Sequence, residues 1–92
     1  MNDVKHDEAA HEFYVETEEG RALLAYVREG RTLNFHRTFV PPALRGRGLA
    51  ERIVSFGLEY ADRFHFKVVP SCPYVARFVT AHSEWKKLLV EG

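Results

Sequence analysis

Cysteine is almost missing from this sequence: Cys72 stands alone in 92 residues, which excludes an internal disulfide and a thiolate cage for zinc. Histidines at 6, 11, 36, 65 and 82 form no i,i+4 pair and no cluster with Cys72 at ligand spacing, so no metal is expected. Long uncharged runs are absent too. Nothing approaches the roughly 18 apolar residues of a membrane span, and the opening twelve positions hold no stretch of signal-peptide length. A soluble, cytoplasmic protein with no membrane partner is expected. Neither sign of charge is in surplus, because 13 Lys and Arg balance 13 Asp and Glu. Without excess positive charge there is no general affinity for phosphate backbones, and no nucleic-acid partner is expected. Repeats and low-complexity tracts are lacking as well.

What remains is ordinary globular composition, 46% apolar and 28% charged. The length fits one domain with roughly two-fifths of its unfolded surface still wet. Residues 1–10 are polar and charged and read as a flexible lead-in, leaving 11–92 as the single domain. Aromatic, β-branched and aliphatic residues fill 11–17 and 21–28, with Glu18-Glu19-Gly20 between them as a turn, which predicts a hairpin. After a second turn at 28–31, residues 32–40 alternate: Leu33, Phe35, Arg37 and Phe39 on one face, Asn34, His36, Thr38 and Val40 on the other. Together these give a three-stranded antiparallel meander, ended by Pro41-Pro42. A helix then starts near Arg47, with Leu49, Ala50, Ile53, Val54, Gly57, Ala61 and Phe64 on its apolar side. Residues 66–69 read as a short buried strand. Ser71 as N-cap and Pro73 in the first turn open a second helix, striped by Tyr74, Val75, Phe78 and Val79 and ending near His82. Residues 84–90 are expected to pack as a strand or extended segment.

The turn from Arg45 to Ala50, between a proline-terminated strand and the most strongly periodic helix, has the makings of an anion site. The first N–H groups of a helix lack internal partners, its dipole concentrates positive charge there, and Gly46 and Gly48 let a phosphate approach without meeting Cβ atoms. Arg45 and Arg47 add charge. It is neither a P-loop nor the dinucleotide fingerprint, since no Gly-Lys-Ser/Thr and no Gly-x-Gly-x-x-Gly is present. A bare strand-to-helix bend would also use two glycines.

Arg45-x-x-Gly48-x-Ala50 resembles the Arg/Gln-x-x-Gly-x-Gly/Ala signature of the GNAT acetyltransferases. A closer resemblance runs from Thr38 to Leu89: Thr38-Phe39-Val40-Pro41, then Arg45-Gly46-Arg47-Gly48-Leu49-Ala50, then Pro70-Ser71-Cys72-Pro73-Tyr74-Val75, then Trp85-Lys86-Lys87-Leu88. In that order the blocks look like the small GNAT-like, N-acetyltransferase-like family. The resemblance implies an α+β fold, an antiparallel meander with splayed central strands, a long cofactor helix and a shorter second helix. It further implies acetyl-CoA lying where the strand ending near Val40 parts from residues 66–69. Thr38, Phe39 and Val40 would flank the pantetheine, the backbone of Phe39 and Val40 pairing with its amides as an added strand does. Arg45, Gly46, Arg47, Gly48, Leu49 and Ala50 would hold the pyrophosphate.

Three side chains are candidates for chemistry. Cys72, at a helix N-terminus, has a position that favours thiolate, and the resemblance puts it near the reactive end of the cofactor as nucleophile or orienting group; a buried small hydrophobe is the plain alternative. Tyr74 could protonate a departing CoA thiolate, as a tyrosine does in many GNAT enzymes, or simply belong to the apolar stripe. His36 is the candidate base, yet the family carries its histidine one residue later, where this chain has Arg37. In a regular strand that offset turns the imidazole to the other face; a bulge would restore it. The implied activity is acetyl transfer to a small-molecule or peptide amine, direct or through Cys72, with an amide N–H near Phe39 or Val40 stabilising the oxyanion. The acceptor groove would be open or completed by a second copy in a homodimer. The alternative is an acyl-CoA-binding sensor or adaptor that does not turn over.

Overall fold

Alternating residues between 12 and 39 form strands, and the computed structural model, which describes residues 3–90, orders them into one five-stranded sheet. Strands β1 (Lys5–Asp7), β2 (Glu12–Thr17), β3 (Gly20–Glu29) and β4 (Thr32–Phe39) lie antiparallel in chain order. β5 (Lys67–Val69) joins β4 in parallel, which requires a crossover, supplied by helix α1 (Leu49–Arg63). Helix α2 (Pro73–Ala81) follows, and 3-10 turns occupy Pro42–Leu44 and Ser83–Leu88. The architecture is the α+β arrangement the sequence implied. Residues 1, 2, 91 and 92 lie outside the described residues, and the outer ends of the expected lead-in and of the expected domain fall there.

One face of the sheet carries the core. Phe13 and Val15 of β2, Leu24 of β3, and Leu33 and Phe35 of β4 are almost wholly buried. Against them pack Ile53, Val54, Leu58 and Ala61 of α1, and Val75 and Val79 of α2 complete the cluster. Each large side chain so enclosed contributes about 1.5–3 kcal/mol of transfer free energy. Gly57 sets how close α1 comes. A Cβ there would meet Leu24 Cδ2 at 3.0 Å, Phe35 Cζ at 3.4 Å and Phe13 Cδ2 at 3.5 Å, so the absent side chain lets the helix lie directly on three core residues.

Several expectations need correction. Residues 5–7, expected in the loose lead-in, form β1 on the edge of β2, so the antiparallel part has four strands rather than three. The reason is tertiary: His6 stacks on Phe13 at 4.2 Å and shares a 2.6 Å hydrogen bond with the Tyr26 hydroxyl, contacts that polar composition alone conceals. Phe64, expected on the apolar side of α1, is its C-cap and 47% exposed. The N-cap of α2 is Cys72, not Ser71, with Pro73 at the first helical position. The tail, expected to be extended, coils as a 3-10 turn through Leu88; only Leu89 bridges Val68, and the Val90 amide donates to the Val68 carbonyl.

The alternation predicted for β4 also breaks. Ala25 pairs with Arg37 and Tyr26 with Phe35, so His36 is the extra residue of a β-bulge. Beyond it the faces exchange. Thr38 pairs with the buried Leu24 and joins the core face, while Arg37 and Phe39 point away from it.

Candidate functional site

The site begins where β4 and β5 part. Their pairing runs only from Thr32 with Lys67 to Asn34 with Val69, because Pro70 ends β5. One more bond, from the Cys72 amide to the Phe35 carbonyl at 2.8 Å, holds the start of α2 to β4. Past that point no backbone bond among the described residues links β4 to the chain after β5. From Arg37 to Phe39 the strand is paired with β3 on one side and open on the other.

Cys72 stands at the root of this opening, with only 6% of its surface exposed. Its Sγ lies 3.3 Å from Thr38 Oγ1, a contact that exists because the bulge turns Thr38 inward. Burial pushes the thiol pKa up, but the Thr38 hydroxyl and the amides of Val75 and Tyr74 at the open end of α2 outweigh it, and the net shift is downward from the ordinary thiol value. Tyr74 is half-buried against the core. Burial, reinforced by Glu51 and opposed by Arg77, raises its pKa, so at neutral pH the phenol holds its proton as a donor. His36 is exposed at the bulge, and among the described residues no hydrogen bond, ring contact or ion pair joins it to Cys72 or Tyr74.

The turn before α1 is anchored by Leu44, which is buried, and by bonds from the Leu44 amide to Pro41 and the Arg45 amide to Pro42. Gly46 and Gly48 then take φ of 81° and 74°, a left-handed conformation that strains any residue with a Cβ. This conformation has a consequence for the amides. From Gly46 through Glu51 no backbone N–H donates to a carbonyl among the described residues, and no side chain caps the helix; the first such bond is from Arg52 to Gly48. A Cβ added at either glycine would meet nothing within 4 Å. These amides and glycines border a cleft of about 230 Å³, which Val40, Arg45, Ala50 and Tyr74 also line.

The two arginines differ. Arg45 folds back so that its Nε donates to the Val40 carbonyl at 3.1 Å, tying the loop to the end of β4. Arg47 turns to the hairpin tip, 3.4 Å from Glu19 Oε1 in an exposed pair worth little in water. Unpartnered amides, an open approach at two glycines and adjacent guanidinium charge are the donor set a diphosphate requires. The residues fit that group.

The family model described as GCN5-related N-acetyl-transferase matches residues 11–88. The chain belongs to this family. Among curated relatives, Protein NATD1 of Xenopus tropicalis is 30% identical over 79 residues, spanning 83% of this chain and 72% of that protein. Protein NATD1 of Homo sapiens is 32% identical over 79 residues, with 83% and 70% covered. A solution NMR structure from Staphylococcus aureus, described as GCN5-like, superimposes with a TM-score of 0.75 over 98% of this chain and 89% of that one. At 19% identity that likeness speaks for the fold alone. The chain is thus a GNAT-related domain, and an acetyltransferase-like function goes with the family.

Within this GNAT domain the residues singled out by sequence divide. Val40, Arg45, Gly46, Gly48, Leu49, Ala50 and Tyr74 surround one cleft, and Thr38 meets Cys72 beside it. Phe39 points to the other face, Arg47 leans toward Glu19, and His36 stays exposed. One contributor escaped sequence reasoning. Glu51 lines the cleft, although its helical position reads as a solvated face. The bulge that the sequence offered as one way to re-aim His36 is present, but it leaves His36 exposed and turns Thr38 inward instead.

Proposed function

We propose that this domain binds acetyl-CoA and transfers its acetyl group to an amine. The observation that carries the reading is the unpaired row of amides from Gly46 through Glu51, facing a cleft at the open edge of β4. Backbone amides of Gly46 to Ala50, with Arg45 and Arg47 near them, would hold the pyrophosphate; the unpaired edge at Phe39 and Val40 would take the pantetheine. Acetyl-CoA would supply a thioester whose acyl carbon an amine can attack, with a thiolate as leaving group, while the amine nitrogen gives up its proton to a base or to water acting as one. Tyr74, whose pKa is raised, holds a proton that it can give to that thiolate. Cys72, whose thiol pKa is lowered by Thr38 and the α2 amides, would orient the acyl group or accept it. An amide of the open β4 segment would stabilise the oxyanion.

A second reading, an acyl-CoA sensor or adaptor without turnover, draws on the exposed His36, which leaves no histidine base beside Cys72. Calorimetric titration with CoA and acetyl-CoA tests the premise common to both, and absence of binding at millimolar ligand sinks both. Amine-dependent release of free CoA separates them. Intact mass after incubation with acetyl-CoA, compared with Cys72→Ala, shows whether the thiol is acylated: an adduct lost in the variant supports transfer through Cys72, and equal turnover by the variant assigns the reaction to direct attack.

A further inference from the structure

Both helices pack on one face of the sheet, and among the described residues the outward positions of β2, β3 and β4 on the other face are half-buried or exposed. A wetted sheet face carries polar residues at such positions. Along the middle strand this face does not: Leu23, Ala25 and Val27 fill three successive outward positions of β3, and Val27 is 45% exposed. Register widens the patch. Tyr14 of β2 and Phe39 of β4 both pair with Leu23, so two rings flank one leucine in a row across three strands. At the next outward position Glu12 and Arg37 both pair with Ala25.

The face thus has an apolar centre line and two unlike sides, with Glu12 and Glu16 on β2 and Arg37 on β4. Arg21 bridges both glutamates and lies 4.1 Å over the Tyr14 ring. Arg37 makes no ion pair or hydrogen bond among the described residues and touches only the Phe39 ring, 5.6 Å away. We infer that this face is a dimer interface and that a second copy of the chain covers it. A two-fold axis along β3, between two stacked faces, lays β2 of each copy on β4 of the other. Leu23, Ala25 and Val27 then meet their own counterparts, Tyr14 meets Phe39 of the partner subunit, and Glu12 meets the partner subunit's Arg37, each cross-contact twice by symmetry. An axis across the strands would instead set Arg37 on Arg37 and Glu12 on Glu12 in the middle of the patch, so the central charges select the first arrangement. Arg21 and Glu29 stand at the wet ends, where like charges cost little.

The ten residues of β3 span about 33 Å and three strands about 14 Å, so the contact covers roughly 450 Å² of sheet on each copy. That lies near the lower limit of about 1,000 Å² in total for a specific interface, and it corresponds to a dimer that dissociates at roughly 10–100 μM. The contact lies on the side of the sheet away from α1 and α2, and it is independent of the cofactor reading.

The experiment is sedimentation equilibrium of the full chain from about 1 μM to about 1 mM. The natural chain should pass from monomer to dimer. Val27→Lys puts two ammonium groups together on the axis and should remain monomeric, with circular dichroism and melting unchanged because the valine is exposed. Glu12→Lys and Arg37→Glu should each weaken the dimer by roughly tenfold, and an equimolar mixture of the two should recover it, since the mixed dimer has opposite charges at both cross-contacts. A natural chain that stays monomeric overturns the inference, even where the face takes up a different protein. A dimer that survives Val27→Lys overturns it by placing the contact elsewhere. A mixture that associates no better than its two components overturns the two-fold arrangement along β3.

Discussion

Replacing Gly48 by alanine separates a phosphate cradle from a simple bend, provided Gly30 is replaced in parallel. Both glycines have left-handed φ, 74° and 60°, and at both an added Cβ meets nothing within 4 Å. The conformational penalty of an L-residue there is about 1–2 kcal/mol at either position, with no steric addition. A domain of this size loses about 4–8 °C of Tm per kcal/mol, so both variants should melt lower by similar amounts. Their ligand behaviour should differ. At Gly48 the methyl projects beside the unpaired amides, where it obstructs one or two charge-assisted hydrogen bonds of about 1.5–3 kcal/mol each, a loss of roughly 10- to 150-fold for the first. Gly30 lies in the β3–β4 turn, outside the residues lining the cleft, and its variant should bind CoA as the natural chain does. Melting followed by circular dichroism gives the first quantity and calorimetric titration the second. If Gly48→Ala melts low but keeps its CoA affinity within twofold, the glycine only makes a turn.

Two further predictions follow from titrating groups. Burial holds the His6 pKa below its ordinary 6.5, against Glu8 and Asp7, which raise it. A base depressed in the folded state binds fewer protons there than when unfolded, so its stabilising contribution is complete above the ordinary value and is lost as pH falls through the folded one. Melting temperatures of the natural chain should therefore fall more between pH 7 and pH 5 than those of His6→Phe, and parallel curves would count against the His6–Tyr26 contact as the cause. At the cleft, Thr38→Val removes the hydroxyl that lowers the Cys72 pKa, so the pH midpoint of alkylation by iodoacetamide should move upward and the rate at pH 7.5 should drop. An unmoved midpoint would mean that the α2 amides alone set the thiol.

Periodicity made much of this fold legible. The β2–β3 hairpin, α1 and α2 announce themselves because a half-buried strand and an amphipathic helix repeat their apolar residues at fixed, local intervals. The conformation of the turn was legible for a related reason: two glycines between Pro41-Pro42 and a periodic helix have few conformations open to them, and both take the positive φ such a turn requires. Where a residue's place depends on a distant partner, the pattern failed. β1 is a strand because His6 finds Phe13, Tyr26 and Tyr60, and nothing in a run of polar residues encodes that meeting.

The sequence by itself therefore determined the order of most elements, the core side of most of them, and the left-handed glycine turn within residues 45–50, since each follows from local spacing and backbone chemistry. Tertiary structure decided what surrounds that turn. One extra residue at His36 reversed the faces of β4, bringing Thr38 to Cys72 and turning Phe39 outward. The short pairing of β4 with β5 left an edge open, and the approach of α1 to α2 set Glu51 opposite Tyr74 and Arg77. Those outcomes depend on register and on contacts between residues far apart in the chain, which become fixed only when the core closes.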